Sequence, residues 1–301
     1  MINFPNIHNS NVVTLSRALL ALSFLLTLVF TPLYDLFPTQ HLILIKQNVE
    51  YSLHLNFFLW FDNIKIPYII SIVVLLLSIF GLFPRYMSIL QFWVSFSVYH
   101  SALVTEGGDQ INSILSLLFI PLCLSDNRKN GWYSKKNYNQ NSQKSNLFLY
   151  NSFVALLFIK IQISLLYFNA GVAKIYAPEW SNGSAVYYWF YDPTFGAPHW
   201  FDFLFGFFFK NDITVTIINW SVIFLEIIIF ISFFLKQKFK YLIFPIAILF
   251  HFLIILVHGL PSFFLSMSGC LVIYLLNVEI SIKENLKIIK QTFNIYSYVN
   301  K

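Results

Sequence analysis

Eight stretches of this chain are so apolar that lipid rather than water must be their solvent. A helix of about 20 uncharged residues crosses a hydrocarbon core of about 30 Å, because each residue adds about 1.5 Å. Residues 17–33, 66–83, 86–104, 111–124, 147–170, 213–235, 241–258 and 263–277 supply runs of that kind. The fourth is short and implies a tilted or partly buried path. The fifth is interrupted by Lys160 and Gln162. Composition agrees: 57% of the residues are hydrophobic and 11% charged, whereas a soluble domain carries about 25% charge. These values exclude the disordered, collagen-like and disulfide-scaffold classes. The expected fold is all-α, a polytopic membrane helical bundle of about eight transmembrane helices.

The first run is full length and no small-residue cleavage site follows it, so it reads as a retained span rather than a signal peptide. Arg17 lies near enough to its end for the guanidinium to snorkel to water. Basic residues prefer the cytoplasmic side of short loops. With both termini in the cytoplasm, 14 of the 19 Lys and Arg residues share that face: Arg17, Arg85, Arg128, Lys129, Lys135, Lys136, Lys144, Lys236, Lys238, Lys240, Lys283, Lys287, Lys290 and Lys301. The net charge of +6 is therefore a topology signal. No basic stripe interleaved with aromatics suggests nucleic-acid binding.

The chain carries no evident internal repeat and reads as a single transmembrane domain over 1–280. A polar, flexible cytoplasmic loop is expected at 125–146 and a long outer loop at 171–211. The outer loop is rich in Trp180, Tyr187, Tyr188, Trp189, Tyr191 and Trp200, residues that favour a lipid interface. A cytoplasmic tail, 281–301, places Ile282, Leu286, Ile289, Phe293 and Tyr296 at helical spacing beside Lys283, Lys287 and Lys290. That pattern suits an interfacial helix or a docking face. Cys123 and Cys270 fall in or near spans without CxxC or metal spacing and read as apolar fillers.

Ionisable side chains inside a bilayer cost at least about 2.5 kcal/mol at a helix centre, so each asks for a partner or a role. Lys160, Glu226, His251 and His258 are the candidates, and Glu226 could neutralise Lys160. Gln162 and Asn169, seven apart, share a helix face that leads outward to Lys174. His258 precedes Gly259-Leu260-Pro261 at the outer surface, at the depth of Lys174. Glu106-Gly107-Gly108-Asp109 opens the fourth span, where Asp109 is expected to cap the helix amides. No metal-binding spacing and no Ser-His-Asp, Ser-Lys or paired-Asp protease motif is identifiable.

The fifth span ends Tyr167-Phe168-Asn169-Ala170-Gly171-Val172-Ala173-Lys174, followed by Trp180 and Gly183. This Ala-Gly-x-x-Lys…Trp…Gly core resembles the horizontally transferred transmembrane (HTTM) domain, the membrane part of vitamin K-dependent gamma-carboxylases. Ser16-Arg17-Ala18-Leu19, Gly107-Gly108-Asp109-Gln110, Glu179-Trp180-Ser181-Asn182-Gly183 and Phe195-Gly196-Ala197-Pro198 extend the likeness over nearly the whole chain. Within that superfamily the chain resembles the sporulation-delaying protein B (SdpB) family, membrane components that mature a secreted antimicrobial peptide. The resemblance implies a multi-pass protein of the bacterial cytoplasmic membrane, an SdpA-like protein partner and an exported toxin precursor. In the carboxylases the lysine of this core is the base that deprotonates the vitamin K hydroquinone. That carries to Lys174, with a quinone as the implied cofactor. A lysine desolvated at the mouth of an apolar pocket can serve as a base. Asn169, Gly171, Trp180 and Gly183 would shape the site, and His258 and Asp109 are further catalytic candidates. Three functions follow as expectations: a peptide-maturation factor, a quinone-linked carboxylase-like enzyme, and a toxin-binding immunity or receptor protein.

Overall fold

The computed structural model describes residues 11–47, 54–133 and 143–299. Its regular elements are helical, and among the described residues the only β-type pairing is an isolated bridge between Leu82 and Asn130. The longer helices are α1 (Val12–Phe30), α2 (Lys65–Ile79), α3 (Pro84–Ser101), α4 (Gly107–Cys123), α5 (Gln143–Tyr176), α6 (Asp212–Ile231), α7 (Gln237–His258), α8 (Pro261–Leu275) and α9 (Ile282–Val299). Local chemistry sets their ends. Pro84 opens α3 at a position that needs no amide hydrogen. Pro178 stops α5, and Gly259, at φ 66°, closes α7 with a left-handed cap.

Among the described residues, four helices are long and apolar enough to cross a membrane: Val12–Phe30, Tyr150–Tyr176, Asp212–Phe234 and Gln237–His258. The other four expected spans are less complete. Helices α2 and α8 are apolar but have 15 residues each, about 22 Å of rise. Helices α3 and α4 have 18 and 17 residues and bury Gln91, Ser95 and Ser97, and Asp109, Asn112 and Ser116.

The chain divides into two compact units. The first holds residues 1–159, 261–273 and 277–285, the second 160–260, 274–276 and 286–301. In the first, α1 packs against α2, α3 and α4. Phe24, Leu28, Phe37, Phe58, Leu75 and Val98 form an apolar core at one end. Toward the other end the contacts turn polar. Gly269 lets α8 approach closely, since a Cβ there would lie 3.0 Å from the Ser16 carbonyl. Ser16 Oγ donates to the Gly269 carbonyl at 2.6 Å, and Asn112 Nδ2 donates to that of Leu20 at 2.6 Å.

Two expectations are corrected here. Arg17 does not snorkel: it is 3% exposed, donating to Gln91 Oε1 at 2.9 Å and to the Pro84 carbonyl. Gln91 Nε2 in turn donates to the Arg17 carbonyl. The start of the 125–146 loop is also not free. Arg128 grips the Asp126 carboxylate, and Trp132 Nε1 donates to the Ile79 carbonyl at 3.0 Å. Residues 134–142 of that loop lie outside the described residues.

The second unit holds α5 from Lys160 onward together with α6 and α7. What reads in sequence as a long outer loop folds into short helices, Pro178–Ser181, Ala185–Phe190 and His199–Phe205. Tyr167 on α5 and His251 on α7, both buried, meet at 2.8 Å between the hydroxyl and Nε2. The outward faces of α6 and α7 remain aliphatic and exposed, as at Ile217, Ile228, Ile246 and Leu249.

Candidate functional site

Gly171 and Lys174 are three residues apart on α5 and therefore share a face. A side chain at Gly171 would put its Cβ 2.7 Å from Ile227 Cδ1 and 3.7 Å from Glu226 Cβ. The glycine thus lets α5 lie close against α6 at the turn that carries Glu226. One turn further out, Lys174 Nζ meets Glu226 Oε1 at 2.9 Å, with the two side chains 22% and 8% exposed. A buried carboxylate facing one lysine is a coupled acid–base pair that can exchange a proton across a single hydrogen bond.

Beyond α5, Pro178 begins a one-turn helix that folds Trp180 back, and Lys174 Nζ lies 5.2 Å from the centre of that ring. Asn219, two turns before Glu226 on α6, holds the fold-back by donating Nδ2 to the Trp180 carbonyl at 2.7 Å. Gly183 completes it at φ +88°, where a Cβ would also lie 2.9 Å from Thr216 Cγ2. Every member of the Ala-Gly-x-x-Lys…Trp…Gly core thereby serves one construction.

The result is an open groove of about 400 Å³ lined by Ala170, Ala173, Lys174, Ala177, Trp180 and Trp189. Apart from the ammonium its walls are methyl groups and indole rings. Trp189 stands edge-on to the His258 ring at 6.1 Å. His258 Nδ1 lies 2.7 Å from the Phe195 carbonyl. The same turn is held by Asp192, whose Oδ1 accepts from the amides of Phe195 and Thr194. Those two bonds, with a smaller contribution from His258, hold the Asp192 carboxyl below its usual range.

Of the residues expected at a site, Gly171, Lys174, Trp180, Gly183 and Glu226 come together, and His258 stands one ring away. Glu226 answers Lys174 rather than Lys160, which lies fourteen residues upstream on α5, about 21 Å at 1.5 Å per residue. Asn169 is exposed and does not line the groove. Asp109 belongs to the first unit. It sits three residues into the capping box of α4 and accepts the Glu106 amide at 3.0 Å, instead of capping the helix amides from outside. Trp189 and Asn219 were not singled out in sequence. Trp189 is hidden among many interface aromatics. Asn219 carries a legible signal, an amide inside a strongly apolar run and seven residues before Glu226. Among the described residues no three His, Cys, Asp or Glu side chains gather into a metal site.

The sporulation-delaying protein SdpB of Bacillus subtilis (strain 168) is 33% identical over 285 residues, covering 91% of this chain and 84% of that protein. The chain belongs to the SdpB family. A second relative, the uncharacterized protein YitO of the same organism, is 31% identical over 288 residues, covering 91% of this chain and 88% of its own length. No family model matches this SdpB-family chain and no solved structure does. The apolar helices accord with a membrane protein.

Proposed function

We propose that this SdpB-family chain is the integral membrane component of a sporulation-delaying-type toxin pathway and that it acts, with an SdpA-like partner, in maturing an exported toxin peptide at the Lys174 groove. The observation that carries this reading is the pairing of Lys174, which lines an open apolar groove, with the buried Glu226. A pair of charges with its carboxylate buried is costly to keep for packing alone, since an apolar pair of the same volume would serve a bundle as well or better. In this reading the transmembrane domain covers 1–280 as an HTTM-like bundle of about eight spans with cytoplasmic termini. The groove and the aromatic segment 171–211 then face outward, where an exported peptide arrives.

For Lys174 to work as a base, its ammonium must first lose a proton. Glu226 Oε1 at 2.9 Å is the acceptor at hand, so the proton moves to the carboxylate and leaves a free amine bordering the groove. A second reading, the quinone-linked enzyme, draws on the same groove. Its flat indole and methyl walls and single ammonium fit an apolar ring bearing a carbonyl or hydroxyl oxygen. Trp180 and Trp189 would hold such a ring and Lys174 its oxygen, and the group would supply redox chemistry when bound.

The test is the mass and yield of secreted peptide from cells carrying Lys174→Ala, compared with a gene deletion. Loss of mature peptide in both, with the variant protein present at normal level in the membrane, is expected. Mature peptide of unchanged mass and yield from Lys174→Ala would sink the lysine mechanism. Self-killing with normal peptide output from the deletion would replace maturation by immunity.

A further inference from the structure

The tail helix α9 buries only part of the apolar stripe that its sequence suggests. At about 100° per residue, its inward side is Asn285, Ile288, Ile289 and Thr292, all buried or half-buried. Leu286 and Phe293 lie within about 20° of each other on a different side and are 46% and 43% exposed. Lys283, Lys287 and Lys290, all exposed, line the edge of that ridge, and Glu284 and Gln291 point further away.

The start of the helix is fixed. Ser281 and Glu284 cap each other, with the Ser281 amide donating to Glu284 Oε2 at 2.8 Å and the Glu284 amide to Ser281 Oγ. Asn285 ties back to Asn277 through bonds in both directions. The Ile282 amide donates to Asn11 Oδ1 at 3.0 Å. Asn11 immediately precedes α1, a helix long and apolar enough to cross a membrane. The helix therefore begins at the depth where that span meets water. There, two exposed apolar residues beside three ammonium groups have a natural complement in a negatively charged leaflet: acyl boundary for the ridge, headgroups for the lysines.

We propose that α9 is an anionic-lipid docking helix, with Leu286 and Phe293 dipped into the acyl boundary and Lys283, Lys287 and Lys290 among the headgroups. Lysine stems are long enough to lie along the ridge while the charges stay in the headgroup layer. The proposal is independent of the chemistry at Lys174.

Spin labels placed by Leu286→Cys, Phe293→Cys, Glu284→Cys and Gln291→Cys in the full chain test it, after reconstitution in phosphatidylcholine vesicles with and without phosphatidylglycerol. Cys123 and Cys270 are buried and do not compete for label. Labels at 286 and 293 are expected to collide with oxygen and those at 284 and 291 with an aqueous nickel reagent. Each lysine replaced by Gln should reduce the docked-to-undocked ratio roughly fivefold in the anionic vesicles. Nickel access at 286 and 293 equal to that at 284 and 291 overturns the proposal. Shielding from both reagents overturns it in favour of a protein neighbour, and oxygen exposure indifferent to both phosphatidylglycerol and the lysines overturns its electrostatic basis.

Discussion

The two units use polar side chains in opposite ways. In the first, polar groups are numerous, buried and closed on one another: Ser16 on Gly269, Asn112 on Leu20, Arg17 on Gln91. The span at its centre, Val12–Phe30, is 61% buried. In the second, the spans Asp212–Phe234 and Gln237–His258 are 28% and 17% buried, as suits helices that face lipid. One ion pair of this unit, Lys174 with Glu226, stands beside an open groove that Lys174 lines. A buried hydrogen bond between small side chains fixes helix register, and it stabilises because the alternative in lipid is an unsatisfied group. A lysine that borders an open groove and pairs with one buried glutamate adds little register and supplies an acid–base couple. On the proposed reading the first unit is a scaffold and the second carries the site.

Breaking the ion pair should have the largest effect and should be asymmetric. Lys174→Ala leaves the Glu226 carboxyl without its partner and with 8% of its side chain exposed, whereas Glu226→Ala leaves a lysine that is 22% exposed and borders the groove. The first should cost about 3–4 kcal/mol of stability and the second about half as much, read as thermal unfolding in detergent. Lys174→Met with Glu226→Leu should recover most of that stability without recovering peptide maturation. Recovery of maturation by the apolar pair would make the groove another piece of scaffold and dissolve the contrast.

Asp109 gives the first unit a comparable sensitivity, expressed through pH. Burial is the main cause that raises its carboxyl from 3.8 to about 6, with the Glu106 charge adding to it and the Glu106 amide opposing. It lies in the first turn of α4, ahead of the apolar stretch that begins at Ile111. Because the folded carboxyl holds its proton to higher pH than the unfolded one, its contribution to stability is full below pH 4. It should fall by about 3 kcal/mol as pH rises through 4 to 6. Asp109→Asn should flatten that part of the unfolding profile and leave peptide output per folded molecule unchanged at neutral pH. A flat profile in the parent protein would remove Asp109 from the account.

Asn112, fully buried, bonds to the Leu20 carbonyl and accepts from Ser116. Asn112→Ala removes both of these bonds, with Ser116 keeping its contact to Ser95 Oγ at 3.3 Å, and should cost about 2 kcal/mol. If the scaffold reading holds, mature peptide falls only in proportion to folded protein; a larger fall would place chemistry in the first unit.

Much of this was legible in the sequence, and the failures share a cause. Apolar runs disclosed the helices because lipid demands length, but length alone did not tell a lipid-facing span from α3 and α4, whose Gln91 and Asn112 mark them as interior. Periodicity on one helix gave Gln162 and Asn169 a common face leading to Lys174, although Asn169 proves exposed and off the groove. It could not say which helix crosses there, so Glu226 was matched to Lys160 instead of Lys174. Arg17 read as a snorkelling residue because its partner Gln91 lies on another element. Trp189 looked like any interface tryptophan, since nothing local distinguishes a ring that faces lipid from one that walls a groove. Spacing reports the face of one helix, and partners across helices are fixed by close approach.

That lesson yields the smallest and most specific prediction. The approach of α5 to α6 depends on Gly171, and the atom a new methyl would meet first is Ile227 Cδ1 at 2.7 Å, the flexible tip of a side chain. Gly171→Ala should therefore cost only about 1 kcal/mol, part of the overpacking penalty being offset by the better helix propensity of alanine. Even so, a shift of a few tenths of an ångström is passed to Lys174 and Glu226 one turn away, and peptide maturation should drop more than stability does. Ile227→Val removes the clashing methyl, so the double variant should restore maturation toward the parent level. If Gly171→Ala matures peptide normally, the pair does not depend on this crossing for its geometry. If Ile227→Val fails to rescue a defective Gly171→Ala, the defect arises elsewhere on the α5 face, and the close approach is a packing detail rather than what aligns the site.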